Sequence, residues 1–320
     1  MALRLGLGLP QRGGVNLRTD IVDVARAAEV AGFSSLWVYE RLLFPAQPSD
    51  GPLGVPGSER PTFYQECADP LSVLAVAAVV TDSVRLGVNV LTAALRMPVH
   101  LAKALATIDR LSGGGRLIAG FGAGWSDDEL QDVGSTSAER VSRLDEALDV
   151  LQAAWGDDPV SYYGQWFQLD RSLIQPKPLA QIPVLLDGAG ATYPSRIVRR
   201  ANGWLLVGGY PETVGGPWAG MGPGVAQEGR QTPARETAME KVCRAPVQIT
   251  AQPAGPDRLL FVGSVQQIVE DIWVCRESGV TEVIVELQFH NAPGRTGAMI
   301  ETALDIRELA AVEGLLADEL

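Results

Sequence analysis

Apolar runs of strand length alternate with longer stretches of helical period along nearly the whole chain, and this alternation restricts the possible folds more than any other feature. Candidate strands are Leu3–Leu9, Ser35–Val38, Arg85–Val90, Leu117–Phe121, Val184–Leu186, Trp204–Val207, Val247–Ala251 and Glu282–Glu286. Helical stretches separate them at Asp20–Ala31, Pro70–Val80, Val99–Leu111 and Glu139–Trp155. Others start near Pro194, Pro233 and Val265, and Gly297–Leu316 closes the series. In Glu139–Trp155, Val141, Leu144, Leu148 and Leu151 recur at steps of three and four, which makes one apolar helix face. Strands flanked by helices pair in parallel. Eight strand–helix units in 320 residues therefore predict a (β/α)8 TIM barrel, one domain over 1–320, with its site on the loops after the strands. A doubly wound sheet competes, but it would carry GxGxxG after the first strand, whereas Gly6 and Gly8 lie within that strand.

Three stretches exceed a minimal barrel and are expected as insertions after strands 2, 4 and 6. Arg41–Asp69 is rich in Pro and Gly and contains Phe44, Phe63 and Tyr64. Asp157–Pro183 holds a hairpin, SYYGQWFQL, with Gly164 and Gln165 at its turn, and Gly208–Arg235 is the part richest in Gly and Pro. Loops of this length in a compact enzyme serve as lids or binding loops. The first and last are expected to be lids, the hairpin structural.

Charge and cysteine content remove several function classes. A net charge of −12 lacks the basic stripe that nucleic acid requires. Cys67, Cys243 and Cys275 are odd in number and form no CxxC, which suits a reducing cytoplasm. No run reaches the roughly 18 apolar residues of a membrane span. His100 and His290 are the only histidines, and no HExxH, Cys/His cluster or GxSxG appears, so no metal site is expected. With so few acid–base groups, a cofactor is the expected source of reactivity.

Two glycine turns suit such a cofactor. Gly120, Gly122 and Gly124 end the fourth strand, where backbone N–H groups can approach a ligand; Ala123-Gly124-Trp125 then sets a flat aromatic surface beside the opening. A tight strand-to-helix turn with a packing Trp is the plainer account. The second turn, Asp187-Gly188-Ala189-Gly190-Ala191-Thr192, leads from a strand into a helix, so its N–H groups and the helix dipole would converge on an anion. An ordinary connection fits the same residues. Arg140 and Arg143 could neutralise a phosphate, or pair on the surface with Glu139 and Glu146.

LGLGLP at the start, AEVAGFSSLWVYER at 28–41, DPLSVLAVAAVVTDSVRLGVNVL at 69–91 and RMPVHLAKALATIDRLSGGGRLIAGFGAGW at 96–125 resemble the luciferase-like monooxygenase superfamily. ERVSRLDEALDVLQAAW, IPVLLDGAGA and ANGWLLV continue the likeness in order, and the chain is most similar to the branch that uses coenzyme F420, an 8-hydroxy-5-deazaflavin. The resemblance implies a dimeric TIM-like barrel with the ring at its C-terminal mouth, against a non-prolyl cis peptide at Asn89-Val90. It implies a cofactor phosphate at Gly188–Thr192, helped by the loop Ala123–Trp125. Where deazaflavin-using relatives carry an Asp-His pair, this chain has Tyr39-Glu40. Glu40 and Tyr39 are therefore the candidates for proton handling, an Arg41 ion pair being the other reading of Glu40. The expected reaction is hydride transfer between F420 and a small organic substrate. An FMN-dependent monooxygenase and a non-catalytic flavin-binding barrel are the alternatives.

Overall fold

The computed structural model describes residues 3–49, 64–188, 197, 199–208, 239–288 and 296–316. Eight parallel strands close into a barrel: β1 (Arg4–Gly8), β2 (Ser35–Val38), β3 (Arg85–Val88), β4 (Leu117–Gly122), β5 (Val184–Asp187), β6 (Gly203–Val207), β7 (Glu240–Pro246) and β8 (Glu282–Glu286). Each pairs with its sequence neighbours, and closure comes from β1 on β8, with Leu5 opposite Val283, and from β3 on β4, with Leu86 opposite Leu117. Outside lie α1 (Asp20–Val30), α2 (Pro70–Val80), α3 (Pro98–Leu111), α4 (Asp127–Asp132), α5 (Arg140–Trp155), α6 (Val265–Glu277) and α7 (Thr296–Val312).

Local chemistry starts several of these helices. Asp69 accepts from the Ser72 N–H at 2.9 Å and Pro70 fills the first turn of α2, while Ser264 and Gln267 form a reciprocal capping box on α6. The hairpin expected in the fourth unit pairs Val160–Tyr163 with Gln168–Ser172, and the Glu146 carboxylate accepts from the Gln165 and Trp166 N–H groups at its turn.

Strand alternation sorts side chains into an outer set packed under the helices and an inner set filling the lumen. Trp37, Ile118, Leu185, Leu205, Val242 and Ile284 form the inner middle layer. Trp37 dominates it because its neighbours have no side chains: a Cβ on Gly87 would stand 2.4 Å from the indole, and one on Gly6 2.8 Å from Nε1. The indole N–H donates to Ser35 Oγ at 2.6 Å and to Glu282 Oε1 at 3.0 Å. Below lies an ionic floor. Arg4 Nη2 and Arg85 Nη1 each reach Glu240 at 2.8 Å, and both arginines also bind the fully buried Glu282. Burial works against the Arg85 charge, but hydrogen bonds and charge from Glu240 and Glu282 raise its pKa; burial likewise opposes the Glu240 carboxylate, and Arg85 and Arg4 overcome it and lower its pKa.

Two elements differ from expectation. The seventh barrel strand is Glu240–Pro246, not Val247–Ala251; Gln248–Ile249 instead pairs with Val262–Gly263 in a two-stranded parallel ladder outside the barrel. The cause is the inner face of β7, which carries Glu240 into the floor and Arg244 into the mouth, so its sequence does not read as an apolar run. The third strand ends at Val88, where the chain turns through a cis Asn89-Val90 peptide to a short strand, Leu91–Thr92, beside β4. Of the helix expected near Pro194, Ile197, Arg199 and Arg200 are described and helical; the helix expected near Pro233, residues 50–63 of the first insertion and nearly all of the third lie outside the described residues.

Candidate active site

The C-terminal mouth of the barrel is where this sequence departs from apolar filling. Gly8, Asn89, Gly122, Asp187, Arg244 and Glu286 stand at the upper ends of their strands, facing the lumen. A Cβ on Gly8 would lie 2.7 Å from the Glu286 carboxylate, and one on Gly122 would lie 2.8 Å from Val90 Cγ2 and 3.8 Å from Asp187 Oδ2. These two glycines give room to charged and bulging neighbours.

Asn89 and Val90 form the wall between β3 and β4, and their peptide is cis, as the resemblance implied. Asn89 is buried, and its Nδ2 finds no partner among the described residues, while its carbonyl accepts from Arg244 Nη1 at 3.2 Å. Val90 is half-buried against the inner layer. Burial pushes the Asp187 carboxyl up to about 6, against the opposing pull of Arg244 and the Gly188 N–H. Burial also raises Glu286, against Arg244, Gln288 and Arg12. Tyr39 is buried beside them, and desolvation first, then nearby Cys67 and Glu286, raise its phenol. Its backbone is held by Gln11, whose side chain accepts from Tyr39 N at 2.8 Å and donates to Tyr39 O at 2.7 Å.

Glu40 pairs with Arg96 rather than Arg41. Its Oε1 meets Arg96 Nη2 at 2.6 Å and its Oε2 accepts from Thr92 N at 2.6 Å, so both oxygens are engaged. Burial raises its pKa, against the charge and hydrogen bonds of Arg96 and the Thr92 N–H. Arg96 also binds Asp69 at 2.9 Å, which ties the segment after the cis peptide to the start of α2. Arg41 turns the other way, binding Glu129 at 3.1 Å and stacking 4.6 Å from the Trp125 ring. Trp125 is thus fixed at the rim with one face covered by a guanidinium.

Ala123 is buried, and Gly124 takes φ +84, a backbone form glycine adopts freely; a Cβ there would stand 2.6 Å from Thr92 Cγ2. Arg140 donates to the Gly124 carbonyl at 2.9 Å, so it braces this loop. Gly188 accepts from the Trp204 indole at 3.2 Å. Ala189, Gly190, Ala191 and Thr192 lie outside the described residues, as does His290. His100 is exposed on α3 and belongs to no site.

The structure therefore gathers Tyr39, Asn89, Val90 and Asp187 at the mouth and puts Ala123, Gly124, Trp125 and Arg140 on its rim. Sequence reasoning missed Arg244 and Glu286. The one available signal was a charge at an inward position of an otherwise apolar strand, as in EVIVE.

The residues fit a flat, polar-edged ring: a buried amide without a partner, Val90 on the cis peptide and the Gly124 turn beside Trp125 stand around the upper lumen. Among the described residues no group of His, Cys, Asp and Glu could hold a metal ion, and no helix is long and apolar enough to cross a membrane.

Several known proteins are similar to this chain in sequence or fold. An uncharacterized protein of Mycobacterium tuberculosis is 35% identical over 188 residues, which span 57% of this chain and 65% of that protein. The F420-dependent glucose-6-phosphate dehydrogenase of Nakamurella multipartita is 26% identical over 230 residues, 69% of this chain and 62% of its own length. The match thus spans just under two thirds of these relatives. In fold, the oxygenating constituent of 3,6-diketocamphane monooxygenase from Pseudomonas putida, solved with FMN, superposes with a TM-score of 0.74 at 15% identity, covering 99% of this chain and 100% of that one. The model of the luciferase-like monooxygenase family matches residues 7–254, and the chain belongs to that family.

Proposed function

We propose that the protein transfers a hydride between coenzyme F420 and a small organic substrate. The observation that carries this reading is the mouth itself, where the unpartnered Asn89 Nδ2, Val90 seated against Gly122 and buried charge stand together. The named F420-dependent relative supports the deazaflavin over FMN. A bound deazaflavin supplies a carbon that gives or takes a hydride; the protein contributes binding, orientation and exclusion of water. Asn89 and Val90 would hold the ring, with Ala123, Gly124 and Trp125 along one edge and Arg140 bracing that loop. The Gly188–Thr192 turn would take the phosphate. In the same reading the protein works in the cytoplasm, as a homodimer through the α2–α3 face, where Val79 and Met97 are exposed.

Titration of the purified protein with F420 and with FMN, followed by intrinsic Trp fluorescence, tests the cofactor. Tighter binding of F420 is expected, with Trp125 reporting. FMN retained through purification, with no affinity for F420, overturns the proposal in favour of a monooxygenase.

Glu40 acts in this scheme as a positioning residue, since Arg96 and Thr92 N occupy both its oxygens. Glu40→Gln would turn an amide N–H₂ toward either the guanidinium or the Thr92 N–H, two donors facing each other. We expect the Kd for F420 to rise by about 10-fold, with kcat at saturating cofactor nearly unchanged. A fall in kcat of about 10²-fold with Kd unchanged would instead make Glu40 the acid.

A further inference from the structure

Asp187 ends β5, Arg244 lies on β7 and Glu286 ends β8, and the three meet in the upper lumen. Arg244 is rooted on the wall opposite β3, yet its Nη1 reaches the Asn89 carbonyl at 3.2 Å, so its guanidinium crosses the mouth. There it acts on both carboxylates. The two acids are not equivalent. Glu286 is sealed at 2% exposure and accepts from its own neighbour, Gln288 N, at 3.0 Å. Asp187 is half-buried, and its Oδ2 stands beside Gly122, whose missing side chain leaves room for Val90. Glu40, another acid near the mouth, has both oxygens engaged by Arg96 and Thr92 N, and Glu129 is held by Arg41.

We propose that Asp187 is the catalytic residue that moves the proton accompanying hydride transfer, and that Arg244 positions it. This rests on the function proposed above. In the reducing direction, a bound reduced deazaflavin would supply a hydride with its electron pair to a polarised double bond of the substrate. The atom at the other end of that bond takes the Asp187 proton as the π bond breaks. The substrate is reduced and the deazaflavin oxidised by two electrons, and Asp187 is left as a carboxylate beside Arg244. The reverse reaction returns the proton to it.

Tuning fits the task. Burial raises Asp187 to about 6, so acid and carboxylate are both populated near neutral pH. The charged group facing it among the described residues is Arg244 from β7; Gly122 on β4 and Val90 after β3 bring none.

The test has a cofactor-free arm and a turnover arm. In the apo-protein, carboxyl-¹³C aspartate NMR, assigned by the resonance lost in Asp187→Asn, is expected to show a midpoint near 6. That midpoint should move up in Arg244→Met, which removes the cation. With reduced F420 and a panel of ketones and activated alkenes, Asp187→Asn is expected to slow single turnover by about 10²-fold or more while F420 binding stays within about threefold. Asp187→Glu should restore part of the rate, and it assigns the resonance if Asp187→Asn fails to fold. A midpoint in the ordinary aspartate range of about 4, or normal turnover in a folded Asp187→Asn, overturns the assignment even where F420 binds. Failure of the wild type to bind F420 overturns the functional reading and the acid role with it.

Discussion

Trp37→Ala is expected to destabilise the protein by about 4 kcal/mol, a drop in Tm on the order of 10 °C. The indole is 1% exposed and fills the centre of the barrel. Its removal empties a space that the surrounding strands cannot close, because each is held by ladders on both sides. It also removes the indole N–H that donates to Ser35 Oγ and Glu282 Oε1, leaving the Ser35 hydroxyl as the donor to that carboxylate oxygen. Against a typical total of about 5–15 kcal/mol, that loss is large. Urea melts give the number directly, and a change below about 1 kcal/mol would show that the middle layer repacks. Gly87→Ala probes the same contact from the other side, since its Cβ would meet the indole at 2.4 Å. Its cost should shrink in a Trp37→Leu background, as expected for two residues that share one space.

Glu282→Ala is expected to cost about 3–5 kcal/mol, because it leaves Arg4 and Arg85 under the barrel with one carboxylate in place of two. Replacing the cluster with well-packed apolar residues would cost far less, since the penalty comes from unpaired charge. The floor also carries a pH dependence. Arg85 and Arg4 lower the Glu240 pKa in the folded state, so its contribution is present above the ordinary glutamate range and is lost as pH falls through the folded value. Glu240→Gln should therefore flatten the acid limb of a Tm-against-pH curve. An unchanged limb would place the acid sensitivity elsewhere.

What could be read from the sequence follows the length scale of the physics. Helix α5 and strand β4 carry their own apolar periods within one segment, so their existence needed no partner. The barrel followed from counting such segments. Strand β7 did not, because Glu240 and Arg244 answer to Arg85 and Asn89, each 155 residues away. Glu40 shows the same limit. The adjacent Arg41 was the obvious mate, but the fold delivers Arg96 from 56 residues on and sends Arg41 to Glu129 and Trp125. Short-range patterns specify elements; which charge faces which is set by the closed sheet.

The ionic floor and the indole above it make the barrel a vessel with one opening. Among the described residues the strands pair all round the barrel, and the middle layer and the floor lie across its lower end. Asp187, Arg244 and Glu286 lie above that layer, so the mouth is the short path by which they would exchange protons with solvent. A ring seated there would cork the vessel and freeze the number of protons inside for as long as it stays. On the proposed function, each turnover would begin with the proton count set before the cofactor bound, and reloading would wait for the cork to lift.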